Sequence, residues 1–348
     1  MIDFALGAPP PECLPVAELA DCARTVLERE GKTLLSYGTG AGYTPLRELI
    51  AEWFGVHPYR VLLTNGSLQG LTLLARHLVR GLSVMVEYPS YDGALTVLLD
   101  AGASLLAAVV DDEGINVDDV ELQLMGKQKP AFLYTMPTFQ NPTGRTLGAD
   151  RRRRLVQALM TRGILLVEDD PYSLIRFEGE PEPALFDVAE KHSIYSSSFS
   201  HTIAPGLRVG WLIVREELAA KLTESANSTY ISPSLFSQAV VHEFIRRGSF
   251  EPNLRCLNDV LRARRDAMLA ALEKHFSGAR WTRSEGGYCI WLEVPMGTDM
   301  RAVLERAKGV KAVDGTAFGA PSSAVRLTFS SASPDEIETG IERLAAAM

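Results

Sequence analysis

The chain has 348 residues, 46% of them hydrophobic and 22% charged, with a formal net charge of −8. That length and composition describe a globular protein with room for two packed domains, and they argue against a disordered or fibrous chain. Forty-three acidic against 35 basic residues argue against a nucleic-acid binder working through bulk charge, while leaving room for a local phosphate pocket.

In chain order, Met1–Pro15 carries Asp3 and Glu12 and has no basic segment followed by an apolar run, so no secretory signal is expected. Residues 1–30 are too short to fold alone and are expected as an arm packing on the C-terminal unit. From residue 31 to 235 short apolar runs alternate with helical patterns. Val61–Thr64 reads as a strand, Ser67–Arg80 as a helix, Ser83–Glu87 as a strand, Tyr91–Ala101 as a helix and Ser104–Val109 as a strand. Ala131–Met136, Ile164–Glu168, Ile194–Ser197 and Val209–Val214 are further runs bounded by Gly, Pro, Asp or Ser, as buried parallel strands are. Gly148–Arg162 reads as a crossover helix. The fold class predicted is α/β, a mostly parallel sheet with helices on both faces.

Residues 236–348 read as a smaller α+β unit. A helical stretch runs from Ser234 to about His275, broken near Gly248–Pro252. A strand (Tyr288–Val294), a helix (Met300–Ala307), a strand (Val325–Phe329) and a closing helix (Pro334–Ala347) follow. No stretch of about 18 residues is apolar and uncharged, so no membrane span is expected. Cys13, Cys22, Cys256 and Cys289 show no Cys-x-x-Cys spacing, and the six histidines add no zinc pattern. No metal and a reducing, cytoplasmic setting are expected.

Ligands of open α/β sheets gather beyond the carboxyl ends of the strands. After the first of these strands comes Asn65-Gly66-Ser67-Leu68, which either caps a helix or offers its free N–H groups to a phosphate. Asn141-Pro142-Thr143-Gly144 reads as a turn. Glu168-Asp169-Asp170 places three carboxylates at one strand end. These are costly to bury unless a cation, a metal or hydrogen-bond donors meet them; solvent exposure is the other reading. Ser198-Phe199-Ser200-His201, with Arg208 a few residues on, can assemble the second half of an anion pocket.

Together these residues resemble the class I/II aminotransferases, pyridoxal-phosphate enzymes of fold type I, and most of all the 2-aminoadipate group. The resemblance spans nearly the whole chain. It includes Gly42-Tyr43-x-Pro45-Leu46-Arg47, Pro89-Ser90-Tyr91, Phe139 through Gly144, Val167 through Tyr172, Ala204 through Arg208, Gly286-Gly287-Tyr288 and Val325-Arg326-Leu327. It implies a large α/β/α domain that binds pyridoxal 5'-phosphate, a smaller C-terminal domain, and a homodimer. Asp169 would face the cofactor's pyridine nitrogen and Tyr91 would stack on its ring. Asn141 and Tyr172 would meet its phenolic oxygen. Ser67, Leu68, Ser198, Ser200 and Arg208 would hold its phosphate, joined by Tyr37 from the other subunit. Arg326 would clamp the α-carboxylate of an amino acid or keto acid, with Asn141 beside it.

One departure outweighs the rest. The residue after Ser198-Phe199-Ser200 is a lysine in the family, the Schiff-base partner of the cofactor, and here it is His201. An imidazole forms no stable imine with an aldehyde, yet it can act as a general base. Three readings stay open: an engineered substitution, a natural enzyme using histidine as base, or a ligand-binding domain without turnover. The function expected is aminotransferase-type action on an amino acid through an external aldimine. The alternative activity is that of a lyase or C–C bond-forming enzyme. Leu68 stands where the family often has a polar residue, and the chain is shorter than the family norm.

Overall fold

A computed structural model describes all 348 residues. Its first strand, β1 (Ile2–Asp3), precedes helices α1 (Val16–Leu34) and α2 (Thr44–Trp53). The alternating region then runs β2 (Val61–Thr64), α3 (Ser67–Leu78), β3 (Ser83–Tyr88), α4 (Asp92–Asp100), β4 (Ser104–Asp111), β5 (Gly114–Ile115), α5 (Val117–Leu124) and β6 (Phe132–Thr135). It continues with α6 (Ala149–Arg162), β7 (Leu165–Asp169), α7 (Leu185–Ala189), β8 (Ser193–Ser198) and β9 (Gly210–Ile213). Helices α8 (Glu216–Thr229), α9 (Leu235–Arg246) and α10 (Phe250–His275) lead to β10 (Arg280–Trp281), β11 (Cys289–Glu293) and α11 (Met300–Arg306). The chain closes with β12 (Val310–Lys311), β13 (Val313–Asp314), β14 (Ala324–Thr328) and α12 (Pro334–Ala346).

The main sheet has eight strands in the order β2-β9-β8-β7-β6-β3-β4-β5. Strands β4, β3, β6, β7 and β8 run parallel, and their near-continuous apolar character follows from burial on both faces. Val209–Val214, expected to join them as a parallel strand, instead forms β9, antiparallel to both β8 and β2. The reason is the length of the connection. A parallel return needs a crossover, usually a helix, whereas residues 199–209 hold only a loop and one short 3-10 turn. This is the mostly parallel α/β fold that the alternating pattern predicted.

Residues 1–30 divide between two neighbours. Strand β1 pairs with β12, and Phe4 lies against Gly340, where a Cβ would come within 2.5 Å of its ring. Helix α1, with buried Cys22, Val26 and Leu34 on one stripe, packs instead with α2 and α9 through Ile50, Val240, Val241 and Phe244. Helix α9 thus shares its core with the sheet's β2–β9 edge. The C-terminal sheet, β10-β11-β14-β13, is antiparallel and lies under α10 and α12. Its buried side chains, Ile290, Leu292, Val325 and Leu327, join one core with those under the main sheet. That shared core holds β14 against the carboxyl end of the main sheet, which is where the site forms. No helix is long and apolar enough to cross a membrane.

Candidate functional site

A cavity of about 260 Å³ opens at the carboxyl ends of β2, β6, β7 and β8. Ser67, Tyr91, Asn141, Asp169, Tyr172, His201 and Arg326 all line it, so seven of the residues singled out by sequence share one chamber. The strand ends deliver each of them. Asp169 is the last residue of β7, Ser67 opens α3 after β2, and Tyr91 precedes α4 after β3. Arg326 comes from β14 of the C-terminal sheet, 185 positions from Asn141, whose Oδ1 accepts from its Nη1 at 3.0 Å.

One end of the site is built for an anion. Gly66, at φ 88°, precedes α3, and no side chain caps that helix. A Cβ on Gly66 would lie 2.2 Å from Arg208 Nη2, so only glycine lets the guanidinium settle over the helix start. Arg208 donates to the Asn65 carbonyl at 3.1 Å and to Ser200 Oγ at 3.4 Å. Ser198 Oγ accepts from the Ser200 N–H at 3.4 Å. No carboxylate pairs with Arg208, so its charge is left for a ligand. Leu68 contributes only backbone here, its side chain packing into the core.

The other end holds an acid. Asp169 Oδ2 accepts from Tyr134 Oη at 2.7 Å, while Oδ1 is buried with no partner. Burial pushes the Asp169 carboxyl up to about 6, against the opposing pull of the Tyr134 hydrogen bond. A free carboxylate oxygen in the cavity wall suits a protonated ring nitrogen. Between acid and anion cradle stands Tyr91, whose hydroxyl is raised to about 12 by burial and then by Asp169.

All three carboxylates of the 168–170 run are buried, and each is answered by different partners. Glu168 accepts the N–H groups of Leu185 and Phe186 at the start of α7, with Arg152 3.9 Å away. Asp170 accepts from Tyr195 Oη at 2.9 Å and from the Ser173 N–H. Hydrogen bonds and one arginine supply what the sequence reading asked for. No three His, Cys, Asp or Glu side chains are grouped as a metal site would require.

His201 lies in the chamber between two aromatic rings. Tyr172 is 4.8 Å and Tyr288 5.2 Å from it, centroid to centroid, and Tyr288 Oη donates to the His201 carbonyl at 2.7 Å. Burial, and then Arg208, lower the imidazole to about 4. It is therefore neutral near pH 7. Its Nδ1 is buried without a partner. No lysine lines the cavity, and all eight lysines of the chain are exposed.

Arg326 Nη2 donates to the Ala5 carbonyl at 2.7 Å, Nε has no partner, and the guanidinium sits 4.9 Å over the Phe318 ring. Its acceptors are neutral, so its charge too is uncompensated. Tyr37 stands apart, 85% exposed and away from this chain's own cavity. Sequence reasoning gave no site role to Tyr134, Ala5, Gly7, Asp92 or Tyr288, although Gly7 and Gly286-Gly287-Tyr288 carry part of the family resemblance. A larger cavity of about 510 Å³ beside Gly144 has Arg145 and Arg280 paired with Asp112 and Arg283 with Glu273, which leaves it no free cation.

Known proteins resemble this chain over its whole length. The sequence profile of the family described as Aminotransferase class I and II matches residues 1–344. A 2-aminoadipate transaminase of Thermus thermophilus is 35% identical over 359 residues, covering 100% of this chain and 90% of that protein. Aromatic-amino-acid aminotransferase 1 of Thermococcus litoralis is 35% identical over 363 residues, covering 99% and 87%. A crystal structure of alpha-aminoadipate aminotransferase from Thermus thermophilus, complexed with N-(5'-phosphopyridoxyl)-L-leucine, superposes with a TM-score of 0.96. It is 35% identical and covers 100% of this chain and 92% of that one.

Proposed function

The chain belongs to the class I and II aminotransferases, transferases whose cofactor is pyridoxal phosphate, and from that premise we propose that it works on an amino acid with His201 as a proton carrier and with no covalent anchor for the cofactor. One observation carries the reading. Beside an anion cradle at Gly66, Ser200 and Arg208, the cavity holds an orphaned carboxylate oxygen and an unpaired arginine, yet no lysine lines it.

The residues present fit the cofactor. Arg208, Ser198, Ser200 and the N–H groups of Ser67 and Leu68 bind its phosphate. The buried Oδ1 of Asp169, orphaned on its own, keeps a proton on the ring nitrogen, and Tyr134 holds that carboxylate in place. Tyr91 would cover the ring, while Asn141 and Tyr172 would donate to its phenolic oxygen. Bound there, pyridoxal phosphate supplies an electron sink for the α-carbon of the substrate. Arg326, steered by Asn141 Oδ1 and the Ala5 carbonyl, receives the α-carboxylate with its free Nε and one Nη. His201, neutral and held between Tyr172 and Tyr288, takes the α-proton at Nε2 and returns it. Tyr37, solvent-facing on one copy, completes the phosphate site of a second copy, which makes the working unit a homodimer.

Without a lysine amine the exchange of substrate for cofactor is slow, so turnover is expected to be about 10²-fold or more below that of the His201→Lys variant. The test mixes the purified protein with pyridoxal phosphate, an amino donor panel and a keto acid, follows absorption, and identifies products. Keto acid formed from the donor supports amino transfer. Loss of a β or γ substituent without keto-acid formation supports elimination instead. No spectral change with any amine shows that the site does not react.

A further inference from the structure

The substrate side chain is what the reading above leaves open, and this inference rests on that reading. The two curated relatives point in different directions, one being named for 2-aminoadipate, a dicarboxylic amino acid, and the other for aromatic amino acids. The charges of the cavity separate the two.

Arg326 is the only lysine or arginine among the lining residues. Its hydrogen-bonded partners, Asn141 Oδ1 and the Ala5 carbonyl, are neutral and its Nε is free, so it can neutralise one carboxylate. Arg208 is turned to the cradle at Gly66 and Ser200. Arg145, Arg280 and Arg283 line a different cavity and are paired with Asp112 and Glu273, and Arg176 lies over the Phe139 ring and pairs with Glu285. The remaining wall is uncharged or acidic. Gly7 and Gly93 contribute no side chain, and Asp92, first residue of α4, is exposed and has no ion pair or side-chain hydrogen bond. A second carboxylate on the substrate meets no cation from this chain and lies in the same chamber as the Asp92 carboxylate, a like charge.

We propose that the substrate is a monocarboxylic amino acid with an uncharged or cationic side chain, and that Asp92 at the cavity wall disfavours dicarboxylic ones. The test uses binding alone, so it depends on neither turnover nor a lysine. Stable N-(5'-phosphopyridoxyl) conjugates of L-leucine, L-phenylalanine, L-lysine and L-2-aminoadipate are titrated calorimetrically into the full-length, cofactor-free protein. The leucine, phenylalanine and lysine conjugates are expected to bind about tenfold or more tightly than the aminoadipate conjugate. Asp92→Asn narrows that gap, and Asp92→Arg closes or reverses it. An aminoadipate conjugate that binds as tightly as the leucine one overturns the proposal and leaves the cofactor site standing, as a cation supplied by a second copy would produce. If none of the four conjugates binds, the cofactor reading falls, and this one with it.

Discussion

Replacing His201 with lysine tests the site most directly, because its surroundings already act on a titratable side chain. Burial first, then Arg208, bring the imidazole from 6.5 down to about 4. Both causes penalise an ammonium in the same direction. A lysine there is lowered by the same two causes. An ordinary exposed lysine near 10.4 is neutral in fewer than about one in a hundred copies at pH 8, and each tenfold gain in that fraction is a tenfold gain in amine able to attack an aldehyde. All eight native lysines are of the exposed kind. The assay incubates each protein with pyridoxal phosphate, reduces with borohydride, and maps the label by mass spectrometry. The His201→Lys variant is expected to carry label at position 201 and the unaltered protein to carry none in the cavity. Label on a native lysine that blocks the cavity, or a variant that binds the cofactor yet takes no label at position 201, would refute the assignment.

Three further outcomes follow from the same geometry. Arg208→Ala removes the uncompensated charge over Gly66. It should weaken binding of pyridoxal phosphate roughly 10- to 100-fold while leaving binding of the unphosphorylated aldehyde unchanged, as calorimetry can show. Tyr134→Phe removes the hydroxyl that donates to Asp169 Oδ2, which should raise the carboxyl above about 6 and destabilise the cofactor-free protein by about 1–3 kcal/mol in urea titrations. His201 should impose a pH dependence on the cofactor-free fold. Its folded value of about 4 lies below the unfolded 6.5, so the unfolded chain binds an extra proton between them and stability present above 6.5 is lost as pH falls toward 4. His201→Asn should remove about 2 kcal/mol of the stability difference between pH 7 and pH 5, measured from denaturant midpoints. An unchanged difference means that the imidazole titrates normally.

Much of the fold was legible because its signals are local. The run Val61–Thr64 stands out as apolar and bounded, and it is strand β2; Gly148–Arg162 has helical spacing and is α6 but for its first residue. Turn chemistry at Asn65–Ser67 and Asn141–Gly144 announced where the strands end. The direction of β9 was not legible, since an apolar run looks the same in either orientation. Nor was the fate of the three acids at 168–170. Whether a carboxylate meets water, a cation or backbone N–H groups depends on residues such as Tyr134, Leu185 and Tyr195, which sequence spacing does not connect to it.

The chain alone determined the alternation of strands and helices in its middle, the small polar turns at the strand ends, and the imidazole at position 201. These depend on side-chain periodicity and identity, which are properties of neighbouring positions. Tertiary structure alone decided that Arg326 and Ala5 meet, that Tyr134 holds one oxygen of Asp169 and leaves the other free, and that no lysine enters the chamber. Those are distances between residues far apart in the chain, and they exist only once the shared core brings the C-terminal sheet over the strand ends.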